Sequence, residues 1–123
     1  LCLAGTPLWD SDVEEELHHA LESTADRTLP EDSLCCGRFG RAAILRMAAR
    51  QAGERRWLEA AIQLQAQGLE HRRATGSYSF KDVPGLFQGY AGVGLALLDE
   101  HGSLMPAVLS AGFATEGRAV RVA

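Results

Sequence analysis

Two adjacent cysteines, Cys35 and Cys36, are the residues of this sequence best suited to chemistry. They lie between a polar segment and Gly37, at a loop-to-helix junction where two consecutive side chains can converge on one point. Thiolates bind zinc at about 2.3 Å, and catalytic zinc sites use three protein ligands. Cys2 is the third cysteine of the chain. The cysteines are therefore candidate metal ligands, although a cysteine pair taken alone is more often a small apolar element of a core.

Cysteine usage and hydropathy also indicate where the protein works. Three cysteines, two of them adjacent, are a poor basis for the disulfide framework of a secreted protein. No apolar stretch reaches the roughly 18 to 20 residues of a membrane span, and no signal-peptide pattern is visible. The sequence therefore predicts a soluble, cytoplasmic protein with reduced or metal-bound thiols.

Composition and charge narrow the class of partner. The chain has 123 residues, of which 46% are apolar, enough for one compact unit. Its 16 acidic and 12 basic residues are well mixed and give a net charge of −4. No basic face could follow a phosphate backbone or an anionic lipid surface. Neither nucleic acid nor a membrane is an expected partner.

Helical periodicity dominates the chain. Apolar residues recur at helical spacing in four segments, which cover residues 11–23, 38–51, 54–73 and 89–100. Gly53 and Gly76 follow two of these segments as expected left-handed caps. Residues 76–84 alternate only briefly around Tyr78 and Phe80, so this segment is predicted to be a loop. The predicted fold class is all-α.

A G-x-x-G motif occurs twice, at residues 37–40 and 89–92, with an offset of 52 residues. In both copies a loop enters the motif and an apolar helix follows, and a degraded third copy begins at Gly5. The amphipathic segment 54–73 fits an outer helix between two inner ones. Such inner and outer pairs, stacked radially, form an α/α toroid. Close packing or positive φ at the glycines explains the motif without any chemistry.

The two motifs lie in longer strings, LCCGRFGR at residues 34–41 and GLFQGYAGVGLALL at residues 85–98. Together they resemble lanthionine synthetase C-like cyclases, most closely the C-terminal cyclase domain of class II lanthipeptide synthetases in a C-C-G variant. The resemblance covers residues 1–110 and implies the C-terminal fragment of an α/α toroid. Residues 111–123 are expected to form a partly disordered tail.

The resemblance also implies a metal site and a reaction. It assigns Cys35 and Cys36 as zinc ligands, whereas the family's upstream ligand position falls on Leu3, one residue after Cys2. Either a shifted loop delivers Cys2 to the metal, or the site is degenerate. The implied reaction adds cysteine thiolates of a precursor peptide to dehydroalanine or dehydrobutyrine, giving thioether rings. The family's acid and base residues lie upstream of this chain, so the rest of a larger synthetase would supply them.

Arg38 and Arg41 flank the cysteine loop and are candidate contacts for an acidic leader peptide or for the substrate backbone. Arginines beside a helix start are more often solvated or paired.

Two rival interpretations stay open. One is a degenerate, non-catalytic relative that has lost the metal through Leu3 and acts in protein or peptide binding. The other is an unrelated helical domain with a structural cysteine pair, which leaves the match of both glycine motifs unexplained. If the chain is a fragment, the apolar side chains of Val93, Leu97 and Leu98 should lack partners when it stands alone.

Overall fold

The computed structural model describes residues 9–80 and 82–99. This part of the chain contains four helices and no strand. The helices are α1 (Ser11–Thr24), α2 (Arg38–Ala52), α3 (Arg55–Thr75) and α4 (Tyr90–Leu98). The predicted all-α class is confirmed, as a helical array consistent with part of an α/α toroid, and the predicted helix ends agree to within two residues. None of the described helices combines the length and apolarity needed to cross a bilayer.

Glycines end two of the helices in the predicted way. Gly53 follows α2 with a φ of 71°, and Gly76 follows α3 with a φ of 81°. Their N–H groups donate to the carbonyl oxygens of Ala49 and Arg72, which satisfies acceptors that the helix itself leaves free. The loop that follows Gly76 is confirmed as non-helical, and no strand forms among its described residues.

Helix α2 is central, because it packs against each of the other three helices. One apolar cluster joins α1, α2 and α3 around Leu45, Trp57 and Leu64. A second cluster lies under the loops and joins α2 to α4. Val93 belongs to this second cluster and is only 2% exposed, so the expectation that it lacks a partner was wrong. Leu97 and Leu98 are exposed, as expected.

Both G-x-x-G motifs enter their helices with the same geometry. The Arg38 N–H donates to the carbonyl oxygen of Glu31 at 2.8 Å, and the Tyr90 N–H donates to that of Val83 at 3.1 Å. The two donors are 52 residues apart in the sequence, and so are the two acceptors. The internal repeat is therefore a repeat of structure as well as of sequence.

Close approach, not positive φ, explains the glycines at the helix starts. The φ values are −88° at Gly37 and −150° at Gly89, which other residues also adopt. A Cβ atom at Gly40, in contrast, would overlap the backbone carbonyl of Leu34. The loop thus lies directly on the first turn of the helix, and only glycine leaves room for it.

This contact gives a prediction for the second motif. Alanine at Gly92 would place its Cβ on the Leu86 carbonyl oxygen, so Gly92→Ala should cost about 1 to 3 kcal/mol of unfolding free energy. The matched control is Gly94→Ala in the same helix, where no atom lies within 4 Å of the added carbon. Its effect should be neutral or stabilising by up to about 1 kcal/mol, from helix propensity. Denaturant unfolding of the intact protein measures both, and equal effects would contradict the packing explanation.

Candidate metal centre

The two adjacent cysteines lie in the turn at residues 34–37 that leads into α2, and both are exposed. The Cys35 N–H donates to the carbonyl oxygen of Phe87 at 2.9 Å, in the matching turn of the second repeat. The Cys36 N–H lies 3.5 Å from the Ser33 hydroxyl, its acceptor. Hydrogen bonds from their N–H groups thus hold the two cysteines at one exposed corner, where the two repeats meet.

The two thiols also interact with each other. A hydrogen bond with Cys35 is the main reason why the pKa of the Cys36 thiol is raised. Desolvation contributes next, followed by the charge of the Glu31 carboxylate and a side-chain hydrogen bond with it. These surroundings keep Cys36 protonated at neutral pH, whereas a cation placed between the sulfurs would favour their ionised forms.

The donor chemistry at this corner fits a thiophilic metal such as Zn²⁺, for which two converging thiols are suitable ligands. The donor set is incomplete here: across residues 9–80 and 82–99, no three His, Cys, Asp or Glu side chains are grouped so as to hold a metal ion. Cys2 and Leu3 lie outside the described residues. The assignment of Cys35, Cys36 and Cys2 as zinc ligands therefore stays a prediction.

A buried carboxylate, Asp32, holds the cysteine turn in place. One of its oxygens accepts from the Arg38 guanidinium at 2.6 Å, and the side chain of Asp32 is fully buried. The other oxygen accepts from the backbone N–H of Ser79 at 3.0 Å and from its hydroxyl at 2.9 Å. In the sequence, Asp32 falls in the loop that leads into the first G-x-x-G motif. Its position three residues before a cysteine, in a polar loop, is the one local signal, because aspartates there often bind backbone N–H groups.

The two candidate substrate-binding arginines make contacts within the chain. Arg38 also donates to the carbonyl oxygen of Pro30 at 3.1 Å. Arg41 is 8% exposed and donates to the carbonyl oxygen of Ser23 at 2.6 Å, which ties α2 to the last turn of α1. These contacts are structural, and a role of either arginine in binding substrate stays a prediction.

A groove of about 610 Å³ opens beside Cys36. Loop residues that precede the two G-x-x-G motifs contribute to its walls, so it lies between the repeats. Its lining residues are Leu29, Glu31, Ser33, Cys36, Phe80, Val83 and Gln88. Sequence reasoning did not find this groove, because its two walls are about 50 residues apart in the chain.

Fold and site together define an all-helical repeat protein with an exposed cysteine pair at the junction of two glycine-rich loops. The family model for lanthionine synthetase C-like proteins matches residues 1–109. This chain belongs to the lanthionine synthetase C-like family, which is associated with lanthionine cyclase activity. No curated protein and no solved structure matches the chain significantly.

The role of Asp32 can be tested by Asp32→Asn, which leaves Arg38 without its anionic partner in a buried position. Breaking such a pair typically costs about 3 to 5 kcal/mol of unfolding free energy. The control is Glu59→Gln, whose pair with Arg55 is exposed and should contribute at most about 1 kcal/mol. Denaturant unfolding of the intact protein gives both values. A loss for Asp32→Asn no larger than the control's would show that Asp32 does not hold the turn.

Removing Cys35 should lower the pKa of Cys36, because their hydrogen bond is the largest cause that raises it. In Cys35→Ala, the midpoint of the pH profile for alkylation of Cys36 should therefore move to lower pH. The measurement uses chelator-treated protein, with the modified residue assigned by fragment mass spectrometry. Gln88→Ala, in the same groove but not among the causes of the shift, should leave the midpoint in place. An unchanged midpoint in Cys35→Ala would contradict the thiol–thiol contact.

Proposed function

We propose that this chain is the C-terminal part of a zinc-dependent lanthipeptide cyclase domain, of the kind found in class II synthetases. The observation that carries the proposal is the exposed pair of adjacent cysteines in a chain of the lanthionine synthetase C-like family. In the proposed reaction, a bond forms between a peptide cysteine sulfur and the β-carbon of dehydroalanine or dehydrobutyrine. The α-carbon takes up a proton, and the product is a lanthionine or methyllanthionine ring.

In this proposal Cys35 and Cys36 hold the zinc ion, with Cys2 as the third ligand. Bound zinc supplies a lowered thiol pKa, so that a substrate cysteine is a thiolate near neutral pH. Three protein thiolates would place more negative charge on the metal than two thiolates and an imidazole. That charge would weaken the hold on a substrate thiolate and leave its sulfur more nucleophilic.

Contacts elsewhere in the chain position Cys35 and Cys36. Asp32 fixes the start of α2 through Arg38, and the Phe87 carbonyl fixes the backbone of Cys35. The partners of the site are a precursor peptide with cysteines and dehydrated serines or threonines, and the remainder of the synthetase, which supplies acid and base groups. Reduced thiols suit the cytoplasm, where we place this activity.

A degenerate, non-catalytic domain that binds protein or peptide is the second candidate function. One specific observation favours it, because Leu3 occupies the position at which the family resemblance expects the upstream ligand. Such a domain would keep the helical fold and the cysteine pair but would form no rings.

Zinc content and ring formation in the intact protein decide between the two candidates. We expect about one zinc ion per chain. Cys35→Ala and Cys36→Ala should each weaken zinc binding by more than about 100-fold. Even the loss of a residue that only orients a ligand typically lowers metal affinity by about 10- to 100-fold. Ring formation, measured as loss of alkylatable thiols in a dehydrated peptide, should stop in both variants and on chelation. His19→Ala, on the exposed surface of α1, should change neither result.

Cys2→Ala tests the third ligand separately. Loss of zinc in this variant supports Cys2 as a ligand, and unchanged zinc content rules it out. Intact wild-type protein that binds no zinc and forms no ring would overturn the cyclase proposal in favour of the binding domain.

A further inference from the structure

We propose that the groove beside Cys36 selects the substrate residue that flanks the reacting cysteine, accepting an apolar side chain and disfavouring an acidic one. This inference rests on the proposed function, because it requires that a peptide thiol be brought to the cysteine pair. It concerns a different property of the molecule, namely which peptide is preferred. Apart from Cys36, the residues that line the groove are outside the predicted ligand set.

The groove combines apolar walls with a few polar groups. Its apolar walls are formed by Leu29 from the first loop and by Phe80 and Val83 from the second. Leu29 is 49% exposed and Val83 is 38% exposed, so both side chains have apolar surface left to bury. A volume of about 610 Å³ lies within the range of pockets that bind small ligands, which combine apolar walls with a few polar groups. Here the uncharged polar groups belong to Ser33 and Gln88.

One wall is fixed before any ligand arrives. The ring of Phe80 stacks on Tyr78, with centroids 5.4 Å apart, and meets Tyr90 edge-on at 5.6 Å. The Arg72 guanidinium covers Tyr78 at 5.0 Å. Aromatic pairs in these arrangements are favourable beyond the area they bury. A wall held in this way loses little freedom on binding, which favours affinity and selectivity.

The same carboxylate positions the wall and the thiol. Ser79, next to Phe80, donates two hydrogen bonds to Asp32. Asp32 also accepts from Arg38, two residues after Cys36. One buried carboxylate thus contacts both the segment that carries the aromatic wall and the segment that carries the thiol.

Charge explains the predicted discrimination against acidic side chains. Glu31 is the one carboxylate among the residues that line the groove, and its Oε1 accepts from the Ser33 N–H at 3.0 Å. That hydrogen bond holds the negative charge at the groove instead of letting it swing into solvent. An acidic side chain entering the groove would meet a like charge at short range, and such a contact is a strong element of specificity.

Chain geometry identifies the occupant as the neighbour of the reacting cysteine. Cys36 itself lines the groove, so a peptide thiol delivered to the cysteine pair lies at one end of it. Successive Cα atoms are about 3.8 Å apart, so the peptide residue before or after the cysteine is close enough to place its side chain in the groove. The occupant is the substrate peptide, bound by the side chain next to its cysteine.

The test uses the intact protein and one dehydrated precursor peptide made with Leu, Ser or Glu beside the reacting cysteine, placed before it or after it. Peptides compete in pairs, and the ratio of cyclised products gives relative kcat/KM. Versions with alanine in place of the cysteine cannot react, and fluorescence anisotropy measures their Kd. The wild type should prefer Leu to Ser by about tenfold in at least one placement, the lower end of what an apolar pocket achieves.

The variants separate the groove from the rest of the surface. Val83→Ser and Leu29→Ser should reduce the preference for Leu to about threefold or less, because they remove apolar wall. Ile62→Ser is the matched control, since Ile62 is 50% exposed on α3 and does not line the groove. Glu31→Gln keeps an oxygen that can accept from Ser33 and should improve the Glu peptide about threefold relative to Leu, whereas Glu59→Gln should not.

Three results would overturn the inference. The first is equal cyclisation of the Leu, Ser and Glu peptides by the wild type. The second is an unchanged preference in the groove variants, and the third is an equally large change of preference in Ile62→Ser. Lower thermal stability in Val83→Ser and Leu29→Ser with unchanged preferences would show that another part of the protein covers the groove. Absence of both bound zinc and ring formation with every peptide would instead overturn the proposed function. In that case the Kd values of the unreactive peptides, measured by anisotropy, would still decide whether the groove discriminates between Leu, Ser and Glu.

Discussion

The ion pair between Asp32 and Arg38 is the interaction on which the candidate site depends. A fully buried carboxylate is stable only if it is paired and hydrogen-bonded, and Asp32 has partners on both oxygens. Arg38 is the first residue of α2, and Ser79 lies in the loop before the second repeat. Since the carboxylate has to keep these partners, it couples the start of α2 to the aromatic wall of the groove. The cysteine turn lies between these fixed points.

The repeat itself explains why the thiols meet at a junction. Each loop lies on the first turn of its own helix, at a glycine with no room for a side chain. The first loop also reaches the second repeat, because the Leu34 side chain packs where a Cβ at Gly92 would stand. The Cys35 N–H, which donates to the Phe87 carbonyl oxygen, adds a backbone hydrogen bond between the same two loops. Two copies of one local structure thus build a composite corner that neither copy has alone.

Local features of the fold could be predicted from sequence, whereas the contacts that position the site could not. Periodicity and the caps Gly53 and Gly76 act within a few residues, so the helices and their ends were correctly predicted. The partner of Asp32 at Ser79 is 47 residues away, and the carboxylate gave no periodic signal. The expectation that Val93 lacks a partner was wrong for the same reason. Apolar composition alone does not reveal which face of α4 meets Leu34 and Phe39.

The surroundings of Cys36 disfavour a role as an enzyme nucleophile. Nucleophilic cysteines are activated by nearby positive charge or by a base that stabilises the thiolate after ionisation. Cys36 has a second thiol and the Glu31 carboxylate beside it, and both raise its pKa. The nearest arginine in sequence, Arg38, directs its charge to Asp32. A thiolate at this corner therefore needs a stabilising positive charge, which the proposed zinc ion would supply. The contact with Cys35, the desolvation and the Glu31 charge that make Cys36 a poor nucleophile are also the effects that a divalent metal at the mouth of the groove would have to offset.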